Sequence, residues 1–457
     1  MSKKMKLTFH GGTGMVTGAN FLLENNGTKI LVDCGLIQGT NFAENLNRAP
    51  FPYNPEAIQY LIVTHSHIDH IGRIPKLVKD GFRGRIISTP ATASLVSVMF
   101  DDAVKVMGDE ARHNGVLPIF EKEDVEATLK LWHPLPYREA FDLTPEIKLV
   151  LKNSGHILGS AMAEISYEKR KIVFTGDLGN TPSLILQDTE DITDADYMVM
   201  ESVYGDRNHE SQDERRIKLY DVLKDSIEKK KTILIPVFSL ERTQEMLYEL
   251  NEFFGKFDLP STPVFLDSPL ALRVTDIYRK FTEDYNEFAR TQIFGGDDIF
   301  KFPRLKLTKT ANESQDIIKT PGPKIIMAGS GMSNGGRILG HEKHYLPLSD
   351  TMVILVGYQS VGTLGRQIQD GVEEVTINGE KLPVRASRVM INGYSAHKDS
   401  DHLVEFVSHD VPKLKNVFVV MGEPKSSMFL IQRLKDELGV NTTLPQLGQS
   451  FDLEFGK

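Results

Sequence analysis

A single cysteine, Cys34, stands in 457 residues. No disulfide can close within the chain, which fits a reducing cytoplasm, and no cysteine-based metal site can form. Any metal must rest on His, Asp and Glu. Long apolar runs are missing too: stretches such as Leu61-Ile62-Val63 and Val417-Phe418-Val419-Val420 suit strands and fall far short of a bilayer span. The opening Met1-Ser2-Lys3-Lys4-Met5-Lys6 is basic with no apolar segment behind it, so neither a secretory leader nor a membrane location is expected. Positive charge is in deficit, 53 Lys and Arg against 62 Asp and Glu, for a formal net charge of −9. That balance disfavours a broad nucleic-acid-binding face. It does not decide about a local site, where bound cations bring their own charge.

What is present is an ordinary globular composition, 40% apolar and 25% charged. The length exceeds one usual core, and two domains are expected. Short β-branched stretches, many of them continuously apolar, recur at residues 29–33, 60–64, 85–88, 171–175, 197–200, 232–237, 263–266, 324–328, 352–356, 388–391 and 416–420. Such runs indicate strands buried on both faces. Helical patterns lie between several of them, at 74–79, 90–109, 211–229, 241–254, 270–283, 400–408 and 426–438. The alternation predicts an α/β class. His- and Asp-rich strand ends cluster within 33–201 and again near 397, so the expected layout is one domain built from both chain ends with a second inserted. The predicted limits are 1–205, 206–385 and 386–457.

The densest chemistry is His65-Ser66-His67-Ile68-Asp69-His70, directly after an apolar strand. Alternate side chains of an extended segment share a face, so His65 and His67 reach one metal together. Asp69 and His70 follow at the turn into a helix and suit a second metal. Packing three imidazoles and a carboxylate in six residues has no structural use without a cation. Four ligands do not complete two sites. The candidates for the rest are His156, Asp177 and His397, each beside glycines at a strand end, with Asp177 a carboxylate able to bridge. Asp33, ending Ile30-Leu31-Val32-Asp33, is expected to accept the spare N–H of a ligating histidine.

These residues resemble a known family. Thr64-His65-Ser66-His67-Ile68-Asp69-His70-Ile71-Gly72, Leu31-Val32-Asp33-Cys34-Gly35, Gly155-His156 and Thr175-Gly176-Asp177 are similar to the motifs of the metallo-β-lactamase fold. Met200-Glu201-Ser202, Ile235-Pro236-Val237-Phe238-Ser239, Leu266-Asp267-Ser268-Pro269, Gly331-Met332-Ser333-Asn334-Gly335-Gly336-Arg337, Gly357-Tyr358-Gln359, Gly362-Thr363-Leu364-Gly365 and Ser395-Ala396-His397-Lys398-Asp399 resemble its β-CASP branch. That branch includes the endonuclease subunit of the cleavage and polyadenylation specificity factor and its bacterial and archaeal relatives. The resemblance implies an αββα sandwich with an inserted α/β β-CASP domain, a site in the cleft between them, and two zinc ions. By matching motif, His65, His67 and His156 hold one zinc; Asp69, His70 and His397 hold the other; Asp177 bridges. The implied activity is hydrolysis of RNA phosphodiester bonds, endo- or exonucleolytic, by a hydroxide bridging two metals. Asp33, Asp69, Asp177, Glu201 and His397 form the catalytic set. A single-stranded RNA substrate and a homodimer are the implied partners, with residues 444–455 a candidate dimer segment.

Two departures from the family pattern stand out. Gln367 occupies the region where relatives often carry a histidine, so protonation of the leaving group falls to another residue or to water. The N-terminal RNA-binding KH domains of archaeal relatives are expected to be missing. Ser330, Gly331, Met332, Arg337 and Arg242 are candidate phosphate contacts, the first four in a glycine-rich turn of the kind that offers N–H groups; Arg366 and Lys398 are further candidates. His341 and His344, three apart, are expected on a helix surface. Two other readings stay open: a hydrolase of the same fold acting on a thioester or lactam, and a non-catalytic RNA-binding paralogue.

Overall fold

A computed structural model describes residues 4–39, 42–360 and 362–454. The chain forms two compact units. The first comprises residues 1–183, 187–208 and 397–457; the second comprises 184–186 and 209–396. The crossings fall later than the predicted 205/206 and 385/386. The reason is strand pairing: Ser387–Ile391 joins the second unit's sheet in parallel with Thr351–Val356.

The described part of the first unit holds two seven-stranded sheets. One runs in the order Ser450–Glu454, Lys4–Phe9, Phe21–Asn25, Thr28–Val32, Tyr60–Ile62, Arg85–Ser88, Trp132–Pro134. The other runs Thr442–Thr443, Asn416–Val420, Tyr197–Glu201, Arg170–Phe174, Ala161–Tyr167, Ile147–Asn153, Ala140–Asp142. Strand alternation divides the apolar residues into layers. Ile30, Val32, Phe21, Phe174, Val199 and Phe418 fill the space between the sheets. Leu31, Leu61 and Val63 face the other way, onto Ile74, Leu77 and Phe100. Met198, Val417 and Val419 likewise meet Leu403, Val407, Leu430 and Leu434. Helices therefore cover both outer faces, giving the αββα sandwich. The strands at 4–9, 21–25, 147–153 and 161–167 are additional to those read from the sequence. They pair antiparallel and carry more polar residues than the buried parallel strands, so they lack a continuous apolar run.

The second unit centres on a six-stranded parallel sheet, in the order Leu305–Leu307, Val264–Asp267, Lys324–Ala328, Thr232–Pro236, Thr351–Val356, Ser387–Ile391. Helices such as Arg242–Lys256, Pro269–Tyr278 and Ile338–Tyr345 connect its strands. Among the described residues, no helix is long and apolar enough to cross a membrane.

Candidate metal centre

The site grows from strand ends of the first unit. Beyond Tyr60–Ile62 the chain stays extended through Thr64, then turns at His67 into the short helix Ile68–Ile71. The turn is held against the end of the neighbouring strand. The backbone N–H groups of Cys34 and Gly35 donate to His70 and Ala19, and Ala19 N–H donates to the Asp69 carbonyl. Gly35 is obligatory here, because a Cβ on it would lie 1.4 Å from the Asp69 carbonyl oxygen.

Asp33 is buried at the hub of this turn. Its Oδ1 accepts from Thr64 N–H at 2.8 Å. Its Oδ2 accepts from the Thr64 hydroxyl at 2.8 Å and from His70 Nδ1 at 2.7 Å. The Thr64 hydroxyl, having donated its proton, is left to accept from His65 Nδ1 at 3.1 Å. One carboxylate thus fixes two imidazoles, His70 directly and His65 through Thr64, with Nδ1 of each engaged and Nε2 turned toward the cluster.

Those nitrogens converge on others. His67 Nδ1 lies 3.1 Å from His65 Nε2 and 3.1 Å from His156 Nε2. His156 sits in the turn joining Ile147–Asn153 to Ala161–Tyr167, where Ser160 Oγ accepts from its backbone N–H. Asp177 follows Arg170–Phe174 and turns its two oxygens in different directions. Oδ2 lies 3.4 Å from His65 Nε2 and 3.6 Å from His156 Nε2. Oδ1 lies 3.4 Å from His70 Nε2, which is itself 3.8 Å from Asp69 Oδ2. His70 Nε2 and Asp177 Oδ1 are both buried without a hydrogen-bond partner.

His397 lies beside this cluster. Its backbone bridges to Gly179, and its ring centroid is 4.5 Å from that of His156. Its Nδ1 faces both Glu201 oxygens at 3.1 and 3.2 Å. Glu201 also accepts from Leu178 N–H at 2.7 Å and is fully buried. His65, His67, His156 and Asp177 form one group with metal-binding spacing; Asp177, Glu201 and His397 form another.

The electrostatics sort these groups. Burial, and next the neighbouring imidazoles, hold His67 and His156 well below the usual histidine range, so both are neutral with a lone pair to give. Burial opposes a charge on His70, but the carboxylates of Asp177 and Asp33 outweigh it and raise its pKa. Burial likewise opposes a charge on His397, and Glu201 overrides it, lifting the group to about 9. Asp177 is held well below the carboxylate range, against burial, by His70 and His65. Burial pushes Asp69 and Glu201 up. The neutral imidazoles of His67 and His156, the ionised carboxylate of Asp177, and two unpartnered buried atoms facing each other fit a divalent cation, which would take the place of the proton that His70 and His397 hold beside their carboxylates.

Comparison with known proteins supplies the family. The model for the metallo-beta-lactamase superfamily matches residues 14–236, that for the Beta-Casp domain matches 243–368, and that for the Zn-dependent metallo-hydrolase RNA specificity domain matches 381–445. Ribonuclease TTHA0252 of Thermus thermophilus is 34% identical over 97% of this chain and 99% of its own length. The chain belongs to the β-CASP branch of the metallo-β-lactamase superfamily. Transcription termination factor FttA of Methanosarcina mazei is 32% identical over 96% of this chain and 70% of its own length. FttA of Thermococcus kodakarensis is 30% identical over 97% and 70%. A crystal structure of a protein of unknown function from Enterococcus faecalis V583 shares the fold, with a TM-score of 0.57 at 12% identity over 98% of this chain and 100% of that one. The β-CASP chain is therefore a metal-dependent hydrolase with a divalent-metal site.

The other predicted site residues lie in the β-CASP unit, and several are occupied internally. Arg337 donates to Asp267 Oδ1 at 2.5 Å and to the carbonyls of Thr308 and Lys309. Arg242 is buried and pairs with Glu245. In the glycine-rich turn, the N–H groups of Ser330, Ser333 and Asn334 close the turn itself, onto Gly335, Ser330 O and Ser330 Oγ. The carbonyls of Gly331 and Met332 accept from Gln359 Nε2 and Gly365 N–H. Arg366 pairs with Asp370, and in the first unit Lys398 is buried and donates to Thr181 Oγ1 at 2.8 Å. His341 corrects its expected surface position: it is buried, with Nε2 2.8 Å from Asp267 Oδ2, whereas His344 is exposed. Gln367 is exposed on the helix Leu364–Asp370. The residue that sequence reasoning missed is Thr64. Its only signal was its place between an apolar strand and the first histidine.

Proposed function

We propose that this chain is a zinc-dependent ribonuclease that hydrolyses phosphodiester bonds of single-stranded RNA. His65, His67 and His156 would hold one zinc, Asp69, His70 and His397 the other, and Asp177 both. The observation that supports this most is the disposition of Asp177, with Oδ2 turned to His65 and His156 and Oδ1 turned to the unpartnered Nε2 of His70. Zinc is favoured by the donor chemistry, which is imidazole and carboxylate without thiolate. RNA is favoured by the family's RNA specificity domain and by a ribonuclease relative. When bound, the metal pair supplies a hydroxide near neutral pH and offsets charge on the phosphate oxygens.

The chain's own residues do the rest. Asp33, with Thr64, fixes the rings of His65 and His70 through Nδ1 and leaves Nε2 of each to face the metal. Asp69, whose Oδ2 lies beside His70 Nε2, would take the proton of the attacking water. Glu201 orients His397 through Nδ1. With its oxygens committed to His397 and Leu178 N–H, it serves as a positioning group rather than the leaving-group acid. Ser330, Gly331 and Met332 line the proposed phosphate contact. Arg337 ties its helix to Asp267 of a neighbouring strand, and Arg242 pairs with Glu245 one turn along its own helix.

Single-turnover cleavage of 5′-labelled RNA tests the proposal. Zinc-loaded protein is expected to cut, chelator to stop it, and added zinc to restore it. RNA bound by zinc-loaded protein without cleavage would instead identify a non-catalytic paralogue.

A further inference from the structure

The β-CASP sheet has a feature outside the metal centre. Residues from Thr232 to Val237 are all buried, and Phe238 then emerges 40% exposed. Isolated exposed aromatics are common, but this ring is built into its place. Thr243 donates to the Phe238 carbonyl with both its N–H, at 3.2 Å, and its hydroxyl, at 2.7 Å. The ring rests on Gly331, where an added Cβ would meet ring atoms at 2.6–2.9 Å. Only glycine permits that approach. Gly331 is itself anchored, since its carbonyl accepts from Gln359 Nε2 at 3.0 Å. A large apolar side chain is thus supported on one side and open on another.

Topology says what such a ring is for. Thr232–Pro236 and Lys324–Ala328 are adjacent parallel strands. The chain leaving the first goes to Val264–Asp267 on one side of the pair, and the chain leaving the second goes to Thr351–Val356 on the other. The strand order therefore reverses between them, at the carboxyl ends, where open α/β sheets bind ligands. Phe238 lies on the chain leaving the first strand and Gly331 on the chain leaving the second, so they flank this switch point. Ser239 Oγ and Ser268 Oγ meet beside it, 3.2 Å apart.

We propose that Phe238, seated on Gly331, is a base-stacking platform that positions a nucleobase of the RNA at the switch point of the β-CASP sheet. The inference rests on the ribonuclease reading. Every base has a π face, so such a platform binds without sequence preference, and its planar apolar surface needs no positive charge from this acidic chain.

The test follows cleavage of a labelled RNA decamer by the zinc-loaded enzyme. The competitors are an unlabelled decamer and an abasic ribose-phosphate decamer of equal length and charge. Wild type is expected to prefer the base-bearing competitor. Phe238→Ala should reduce that preference by roughly 5-fold or more, and Phe238→Trp should keep it. Gly331→Ala, whose Cβ displaces the ring, should reproduce the loss with Phe238 intact. Unchanged discrimination in Phe238→Ala, with the wild type cutting RNA, overturns this inference alone. No cleavage by the wild type would remove the ribonuclease reading and this one with it.

Discussion

Replacing Asp33 by Asn keeps the shape, removes one negative charge and turns one acceptor oxygen into an NH2 donor. The wild-type carboxylate accepts three hydrogen bonds, from Thr64 N–H, the Thr64 hydroxyl and His70 Nδ1. An asparagine can place its carbonyl against Thr64 N–H, but its NH2 then occupies the position that receives the other two. Nδ1 of His70 must become an acceptor, which moves the ring proton to Nε2, the atom facing Asp177 Oδ1 at 3.4 Å. The Thr64 hydroxyl can no longer donate to residue 33, so its link to His65 Nδ1 changes as well. Two of the proposed ligands are thus misprotonated by one substitution. Loss of such a partner typically weakens metal affinity about 10- to 100-fold, or roughly 1.4–2.8 kcal/mol. Competition with a chromogenic chelator measures this directly, and circular dichroism checks that the fold survives. Zinc affinity within about twofold of wild type would refute the tautomer argument.

Asp69→Ala and His70→Ala should each abolish RNA cleavage while the metal-free protein keeps its native circular dichroism; unchanged single-turnover rates would contradict the proposed roles. Gly35→Ala forces a Cβ into the Asp69 carbonyl and should cost about 1–3 kcal/mol, seen as a lower urea midpoint together with weaker zinc binding. Glu342 is fully buried with Ser333 as partner, and burial lifts its carboxyl to about 8. The folded state therefore holds a proton that the unfolded chain releases near 4.5, and stability should fall as pH rises from about 4.5 to 8. Glu342→Gln should flatten that decline in a series of thermal midpoints, and an unchanged slope would count against it.

The part of the site that was legible is the part whose logic is local. His65–His70 sits in six consecutive residues, and the period-two geometry of an extended chain already pairs His65 with His67. His156, Asp177 and His397 carry a weaker signal, a glycine-flanked place at a strand end; the second sheet brings His156 and Asp177 together, and the bridge of His397 to Gly179 adds the third. What stayed hidden is what long-range packing decides. Arg242 and Arg337 read as phosphate contacts, and nothing local announces that Glu245 and Asp267 pair with them. His341 has the spacing of a surface residue, yet Asp267, 74 positions away, draws it inside. The same holds for the domain boundary. The apolar run at Ser387–Ile391 reads as a strand, but nothing local says which sheet it joins.

The central claim is that seven side chains of one unit hold two metals through a shared Asp177. Equilibrium dialysis of the metal-free protein against buffered zinc, read by mass spectrometry, tests it most directly. Two zinc ions per chain are predicted for the wild type, and at most one at the same free zinc in Asp177→Ala. A saturating stoichiometry of one in the wild type, or of two in that variant, would contradict the account.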